Sequence, residues 1–194
     1  MTHPTPSAAI PSARERILCC AAELFYQKGI NNVGINEVIA KSAIARMTLY
    51  HHFASKDALI CGVLGERMER RQAELTQIVE RTRSAQRKVL AMFDYLSQLA
   101  TADGFRGCAF INASIELADP DHPAYRIAVS HKQWMAELFE HIASEAHWSQ
   151  PGIFGEQCLL LWDGAALGMQ MHRNNAPLRA ARAAATVLIK AAQR

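Results

Sequence analysis

The fold is decided by residues 35–52, which read INEVIAKSAIARMTLYHH. Apolar residues recur in this stretch at spacings of three and four, which is the period of a helix with one buried face. The pattern predicts two very short helices, about 35–42 and 46–52, with a turn of three residues between them. Their expected buried residues are Ile35, Val38, Ile39, Ile44 and Leu49. Two short helices joined by a tight turn and followed by a longer helix are typical of a helix-turn-helix unit.

The flanking segments predict a helix on either side of this unit. A first helix follows Ser12 and ends at Lys28-Gly29, where a cation lies near the negative helix end and a glycine stops the helix. Its expected buried residues are Ile17, Leu18, Ala21, Leu24 and Phe25. A long helix begins at Lys56-Asp57, because Ser55 can cap it and the acid of Asp57 suits the positive helix end.

The rest of the chain shows the same helical period, and no Asn-Gly or Asp-Gly hairpin lies between alternating runs. Pro151-Gly152 is expected to interrupt the pattern, and the last two helices are expected at about 153–172 and 177–192. The chain is therefore predicted to be all-α, with about nine helices.

The composition narrows the class of protein. Half of the 194 residues are apolar, so the chain can bury a core and general disorder is excluded. The five cysteines are scattered without a CxxC pair, which indicates a reducing compartment and no cysteine zinc site. No apolar run approaches a membrane span, and the N-terminus lacks the pattern of a secretory signal. We expect a cytoplasmic protein without membrane association, cofactor or metal.

The positive charge is concentrated in the first half of the chain. Lys and Arg number 21 against 18 Asp and Glu, a net charge of +3. Residues 1–60 and 61–100 each carry +2, whereas residues 101–194 carry −1. This distribution favours an anionic partner for the first half.

The second short helix presents a polar and aromatic outer face. Arg46 can contact a phosphate or a guanine edge, and Thr48 can contact a phosphate or a thymine methyl group. Lys56 adds its charge at the start of the long helix, where free amides also favour a phosphate. These properties predict double-stranded DNA as a partner. The predicted DNA-binding residues are Gly34, Arg46, Met47, Thr48, Tyr50, His51, His52 and Lys56.

Residues 35–59 resemble the signature of TetR-type transcriptional regulators, above all in residues 48–56, TLYHHFASK. Upstream residues match the same pattern, so that the resemblance covers about residues 14–62. The resemblance implies a two-fold homodimer on a palindromic operator and most often a repressor. It also implies that Thr48, Tyr50, His51 and Lys56 lie at the DNA and that Arg46 reads sequence.

Three regions follow from these observations. Residues 1–12 are predicted to be a flexible arm, residues 13–58 a helix-turn-helix DNA-binding domain, and residues 59–194 a ligand-binding and dimerisation domain. In the expected mechanism, a ligand in the last region shifts the helix that begins at Lys56 and thereby changes the separation of the two recognition helices.

Four residues depart from the family pattern. Ala43 stands where a turn glycine is usual, and a left-handed backbone there would cost alanine about 1 kcal/mol. Ala45 replaces the usual serine cap of the second helix, at a loss of about 1 kcal/mol. Gly34 replaces a hydroxyl residue that often touches phosphate, and Ile39 replaces an alanine. These departures bear on the list of DNA contacts more than on the fold.

The last two predicted helices carry small and apolar residues at spacings of three and four, which would let the helices of a second copy approach closely. We expect a homodimer through these helices. The predicted interface residues are Leu161, Ala165, Gly168, Met169, His172, Ala184 and Leu188. The alternative is that these stripes form only the core within one chain.

A small hydrophobic ligand is expected in the third region, because pockets in helical domains are mostly apolar with a few polar groups. The predicted ligand-binding residues are Phe93, Phe110, Asn112, Glu116, His131, Trp134, Trp162 and Asp163. The polar members are the more diagnostic ones, since burying them without a partner is costly.

The sequence also offers residues for other functions. Asp119, Asp121, His122 and His131 could form a metal site, although their spacing matches no compact motif. Cys108 could act as a redox sensor if Arg106 and the helix end stabilised its thiolate. A DNA-binding assembly factor without a ligand remains open. A small helical enzyme finds no support, because the chain lacks a phosphate loop, a nucleophile elbow and an HExxH motif.

Overall fold

Residues 11–100 and 104–193 are described by a computed structural model of the chain. Within these residues the chain forms nine α-helices and no strand, which confirms the predicted all-α class. The helices are α1 Ala13–Lys28, α2 Ile35–Ser42, α3 Arg46–His52, α4 Lys56–Arg81, α5 Ala85–Ala100, α6 Ala109–Leu117, α7 Pro123–Glu145, α8 Pro151–His172 and α9 Ala176–Ala192. Among the described helices, none has the length and apolar character needed to cross a membrane.

The chain divides into two compact units between Val63 and Leu64, inside α4. Unit 1 holds α1 to α3 with the start of α4, and unit 2 holds the remainder of α4 with α5 to α9. The functional boundary at residue 58 stays a prediction. Residues 1–10 of the predicted arm lie outside the described residues.

Helix α1 begins and ends as the sequence predicts. The Ser12 hydroxyl accepts a hydrogen bond from the Glu15 amide at 3.2 Å, and the Glu15 carboxylate accepts one from the Ser12 amide at 2.7 Å. This reciprocal pair is a capping box. Gly29 ends the helix at a φ of 93°, which glycine adopts without strain. The five predicted residues of α1 are all buried: Ile17, Leu18, Ala21, Leu24 and Phe25.

Helices α2 and α3 have the predicted bounds. Val38 and Leu49 are fully buried and anchor the two helices in unit 1. Ile35, Ile39 and Ile44 are only half-buried, so the prediction that they are core residues is wrong. For Ile35 and Ile39 the reason is geometric, because a helix of about two turns brings only one or two positions directly against its neighbours. Ile44 lies in the turn between the two helices.

Pro151-Gly152 does not interrupt the chain ahead of α8, as the sequence analysis expected, but begins that helix. A proline in the first turn already has a helical φ, and it lacks an amide that would find no intrahelical partner there. The same argument explains α9, which begins at Ala176 with Pro177 as its second residue.

Unit 2 is a helical body in which α7 packs against α8 and α8 against α9. The Phe93 ring lies 6.1 Å from that of Phe139 and 5.9 Å from that of Trp162, measured between ring centroids. All three rings are buried. Gly155 permits α8 to approach α7 closely, since a β-carbon there would lie 2.5 Å from the Ala136 carbonyl oxygen.

Candidate functional site

The outer face of α3 is built above one buried anchor. Leu49 is fully buried. The Met47 side chain, two residues earlier, is 79% exposed, and the Tyr50 side chain is 41% exposed. Most of the predicted DNA-binding residues lie on exposed surface: Gly34, Arg46, Met47, Tyr50, His51 and His52. Thr48 and Lys56 are half-buried. Unit 1 therefore presents a continuous polar and aromatic helix face, and the roles of these residues at DNA stay a prediction.

The turn between α2 and α3 contains one residue in a strained conformation. Ala43 has φ 52° and ψ 41°, the left-handed conformation that its position in the pattern raised as a possibility. Alanine in this conformation costs about 1 kcal/mol because its β-carbon crowds the backbone. The Arg16 guanidinium of α1 donates hydrogen bonds to the carbonyls of Ser42 at 2.7 Å and of Ala43 at 3.3 Å. These bonds satisfy carbonyls that the end of α2 would otherwise leave unpaired.

Helix α3 begins without a side-chain cap. Ala45 occupies the cap position with the extended backbone that a capping serine would adopt, φ −63° and ψ 144°, but it has no oxygen to offer. The family pattern has a serine cap here, and the structure confirms that α3 lacks a side-chain cap hydrogen bond. At Gly34, by contrast, a β-carbon would meet no atom within 4 Å, so nothing in the structure requires glycine there.

One exposed contact at this face was missed by the sequence analysis. An Nη2 hydrogen of Arg46 is donated to Oδ1 of Asn36 at 2.5 Å, which joins the first residue of α3 to the second residue of α2. The spacing of ten residues carries no local signal. It becomes a contact only because the turn brings the two helix starts together.

Two lysines in unit 1 are matched by acids. Lys28 lies 2.5 Å from the Glu37 carboxylate, and Lys41 lies 2.5 Å from the Glu23 carboxylate. Each pair joins a residue of α1 to one of α2 on the surface, and pairs of this kind contribute little to stability. Their effect is to reduce the positive charge that Lys28 and Lys41 can offer to an anionic partner.

The predicted ligand residues lie in different surroundings in unit 2. Phe93 and Trp162 belong to the central core described above. Asn112 donates to the Arg106 carbonyl at 2.8 Å and so ties α6 to the preceding loop. Glu116 is half-buried on α6. Packing accounts for Phe93 and Trp162, and a local hydrogen bond accounts for Asn112.

Phe110, His131 and Trp134 do come together. The Phe110 and His131 rings are stacked with their centroids 3.9 Å apart, and the Trp134 ring lies 6.1 Å from His131 at an interplanar angle of 18°. His131 is 2% exposed, and in the described part of the chain its Nδ1 atom is buried without a hydrogen-bond partner. Burial, followed by the charges of Lys132 and Arg71, lowers the pKa of His131 to about 3. The imidazole is therefore neutral at physiological pH.

Two ion pairs lie near this stack. Lys132 is paired with Asp163, the acid that the sequence analysis singled out, and burial raises the pKa of Asp163 while Lys132 opposes that shift. Arg71 donates to Tyr95, and Tyr95 donates in turn to Glu74. Arg71 and Tyr95 were not among the residues that the sequence predicted for this region. Arg71 stands seven residues after Leu64 and four before Leu75 on α4, a spacing that places a cation on the buried stripe.

The predicted dimer residues separate into two groups. Ala165 and Met169 are 2% and 3% exposed and belong to the core of unit 2, so they offer almost no surface to a second copy. This corrects their assignment, because the inward stripe of α8 packs within the chain. Gly168 lies against Pro177 of α9. Leu161, Ala184 and Leu188 are half-buried and His172 is exposed.

An open apolar groove of about 550 Å³ runs between α8 and α9, and the half-buried residues Leu161, Ala184 and Leu188 belong to it. Its lining residues are Gln157, Leu160, Leu161, Ala184, Val187 and Leu188. Leu160 and Val187 were not predicted, yet their side chains are 72% and 65% exposed. Leu160 comes directly before the predicted interface residue Leu161, and Val187 comes directly before the predicted Leu188.

The acids and histidines considered for a metal do not assemble. Asp121 pairs with Arg126 on the surface, whereas His131 is buried in the aromatic stack. In residues 11–100 and 104–193, no three His, Cys, Asp or Glu side chains are placed to hold a metal ion. Cys108 is half-buried at the start of α6.

Comparison with known proteins places this architecture in a family. Residues 17–61, which span most of unit 1, match the family model for bacterial regulatory proteins of the tetR family. The crystal structure of SCO4454, a TetR-family transcriptional regulator from Streptomyces coelicolor, superposes with a TM-score of 0.89 and 29% identity. That alignment covers 94% of this chain and 96% of the other.

Two curated relatives align over most of their length. The HTH-type transcriptional regulator YjdC of Escherichia coli strain K12 is 23% identical over 181 residues, or 93% of this chain and 95% of YjdC. The HTH-type transcriptional repressor DhaR of Mycobacterium sp. strain GP1 is 23% identical over 172 residues, or 85% of this chain and 86% of DhaR. The helix-turn-helix motif, the helical fold and these relatives agree, and together they support a transcriptional regulator of the TetR family.

Proposed function

We propose that this regulator is a homodimeric repressor that binds a palindromic operator and is released by a small, uncharged ligand. The observation that carries the proposal is the exposed face of α3, on which Arg46, Tyr50 and His51 stand above the buried anchor Leu49. A helix of this size and polarity suits the major groove.

The roles proposed for the individual residues follow from their chemistry. Arg46 supplies donors for a base edge, and Met47 supplies apolar contact with a thymine methyl group. Tyr50, His51 and Lys56 donate to phosphate oxygens and so set the register of the helix on the duplex. Thr48 is half-buried, which limits it to a contact through its hydroxyl at the edge of the face.

The partner proposed for the groove between α8 and α9 is a second copy of the chain. A palindromic operator needs two recognition helices related by a two-fold axis, and a two-fold interface uses the same patch on both copies. Leu160 and Val187 are highly exposed at this groove, as is Leu167 further along α8. Burying such side chains against their own copies supplies the apolar area that a stable dimer requires.

The ligand site proposed in unit 2 surrounds the His131 stack. A buried polar atom without a partner calls for an explanation, and a hydrogen bond from a ligand to Nδ1 of His131 would supply one. Lys132 and Arg71 are each matched by a carboxylate, and the imidazole is neutral. Because both of these cations are matched and the imidazole is neutral, the site suits an uncharged, mainly apolar ligand with one hydrogen-bonding group.

Helix α4 is proposed to transmit ligand binding, since this one helix begins in unit 1 and carries Arg71 and Glu74 in unit 2. The ligand needs to favour the released state by about 10⁴-fold for a nearly complete switch. The relative DhaR is a transcriptional repressor, which supports repression as the outcome for this chain.

The proposal is tested by footprinting the full-length protein on the DNA that flanks its own gene. We expect one protected palindrome, and an affinity that falls by about 10³-fold or more between 50 and 200 mM salt if each dimer neutralises roughly six phosphates. No protected palindrome, or an affinity indifferent to salt, would refute the proposal.

The ligand is tested in the same assay with phenol and benzoate as matched neutral and anionic probes. We expect phenol to raise the melting temperature of the protein and weaken the footprint more than benzoate does. A footprint that neither probe alters, together with an unchanged melting temperature, would favour an assembly factor without a ligand.

A further inference from the structure

The contact between Asn36 and Arg46 joins the two helices of the helix-turn-helix at their exposed ends. Asn36 is the second residue of α2 and Arg46 the first of α3, and both side chains are exposed. The guanidinium donates to Oδ1 of Asn36 at 2.5 Å. Arginine carries five N–H donors in a planar fork, so this bond uses one donor and leaves others for a second partner.

The chemistry of this partner differs from that of the neighbouring cations. Lys28 and Lys41 each face a carboxylate at 2.5 Å, which offsets their charge. Arg46 faces a neutral amide and keeps its full charge. A bond that orients a cation without neutralising it suits a side chain that must still bind an anionic or electron-rich partner.

The turn between the two helices is tied to α1. Ala43 adopts a left-handed conformation there, and Arg16 binds the carbonyls of Ser42 and Ala43 from α1. The turn brings the start of α3 back beside the start of α2, so that Asn36 lies within hydrogen-bond distance of the Arg46 side chain. Arginine otherwise samples many rotamers, and a group that selects one of them lowers the entropy lost on binding.

We propose that Asn36 is a positioning residue for sequence recognition, which holds the Arg46 guanidinium ready for a bidentate contact with the O6 and N7 atoms of one guanine in each half-site. The inference rests on the proposed binding to operator DNA and adds to it the base that Arg46 reads. The first residues of a recognition helix are those that contact base edges, and the arginine–guanine pair is the commonest specific contact.

The test selects binding sites from a randomised double-stranded DNA library with the full-length wild type and with the variants Arg46→Ala and Asn36→Ala. We expect the wild type to enrich a palindrome with one guanine per half-site preferred by about tenfold or more. Arg46→Ala should lose that preference. Asn36→Ala should reduce it to about threefold or less at the same base pair, while its affinity for a non-specific duplex stays within about twofold of the wild type.

Two further variants separate positioning from other effects. Asn36→Asp keeps the acceptor but adds a negative charge, so we expect the guanine preference to persist while affinity falls for all sequences. Lys41→Ala, exposed on the same helix, should leave the preference unchanged. Thermal unfolding of each variant checks the fold, which the exposed position of Asn36 is expected to preserve.

The outcomes distinguish this inference from the function on which it rests. If the wild type enriches no palindrome, the proposed function fails. If a palindrome appears but Asn36→Ala keeps the full guanine preference, the positioning role is wrong. Loss of preference at a base pair different from the one lost in Arg46→Ala would also overturn it, because Asn36 would then read a base directly.

Discussion

Arg16 of α1 donates a hydrogen bond to the Ser42 carbonyl at 2.7 Å, one residue before the left-handed turn at Ala43. The guanidinium thus ties the first helix to the end of the second at the point where the chain reverses. The left-handed conformation of Ala43 costs free energy. It is tolerated because the Arg16 guanidinium binds the carbonyls of Ser42 and Ala43. A hydrogen bond from a charged donor is worth about 1.5–3 kcal/mol. The orientation of α3 depends on this arrangement.

Replacing Ala43 by glycine is expected to stabilise the protein. The left-handed conformation costs alanine about 1 kcal/mol, part of which is offset because glycine gains entropy in the unfolded chain. The net rise in the free energy of unfolding should be about 0.5–1 kcal/mol, measured by urea denaturation. Ala40→Gly, exposed inside α2, is the control and should destabilise by about 1 kcal/mol. A loss of stability in Ala43→Gly would show that the turn is not strained.

Introducing a cap at Ala45 should also stabilise the helix-turn-helix. The backbone at this position already has the extended conformation of a helix cap, so a serine hydroxyl can accept a hydrogen bond from an amide of the first turn of α3. We expect Ala45→Ser to raise the free energy of unfolding by about 1 kcal/mol. Ala45→Val has no acceptor and should give no gain. Equal stabilities for the two variants would contradict the capping argument.

A charge in the groove between α8 and α9 should separate the proposed dimer. Leu160→Asp places a carboxylate in the lining of the groove, and burying it against a second copy would be costly. Sedimentation over a range of concentrations should show a dimer for the wild type and a monomer for Leu160→Asp. Ile115→Asp is the matched control, because Ile115 on α6 is 70% exposed against 72% for Leu160. Dissociation of both variants, or of neither, would speak against this interface.

Acid should destabilise unit 2 through His131. The folded state lowers the pKa of His131 from 6.5 to about 3, so between these values the unfolded chain binds a proton that the folded chain does not. The stabilising contribution is complete above about pH 6.5 and is lost as the pH falls towards 3. The expected loss between pH 7.5 and pH 5 is about 2 kcal/mol, measured by urea denaturation.

The variant His131→Phe keeps a ring against Phe110 and removes the titrating group. Its stability should fall less between pH 7.5 and pH 5 than that of the wild type. His141→Gln, on the exposed side of the same helix, controls for the loss of a histidine. An unchanged pH dependence in His131→Phe would assign the acid sensitivity to other groups.

The helices were predictable because their signals are local. The capping box at Ser12, the stop at Gly29 and the period of apolar residues each act within a few residues of one another. The position of Ala43 against a family pattern raised the left-handed backbone as a possibility, and the structure has it. The exception is Pro151-Gly152, because proline and glycine can either break a helix or begin one, and here they begin α8.

The amino-acid sequence by itself predicted an all-α chain that contains a helix-turn-helix. It also predicted which side of the second short helix is exposed. Periodicity and capping are properties of neighbouring residues, and no distant contact is needed to read them. Which stripe of α8 faces inward was decided by tertiary packing: Ala165 and Met169 went to the core, and Leu160 remained outside. The pairing of Asn36 with Arg46 and the isolation of His131 Nδ1 were decided in the same way. Such contacts join residues from different helices, so they exist only once the helices have packed.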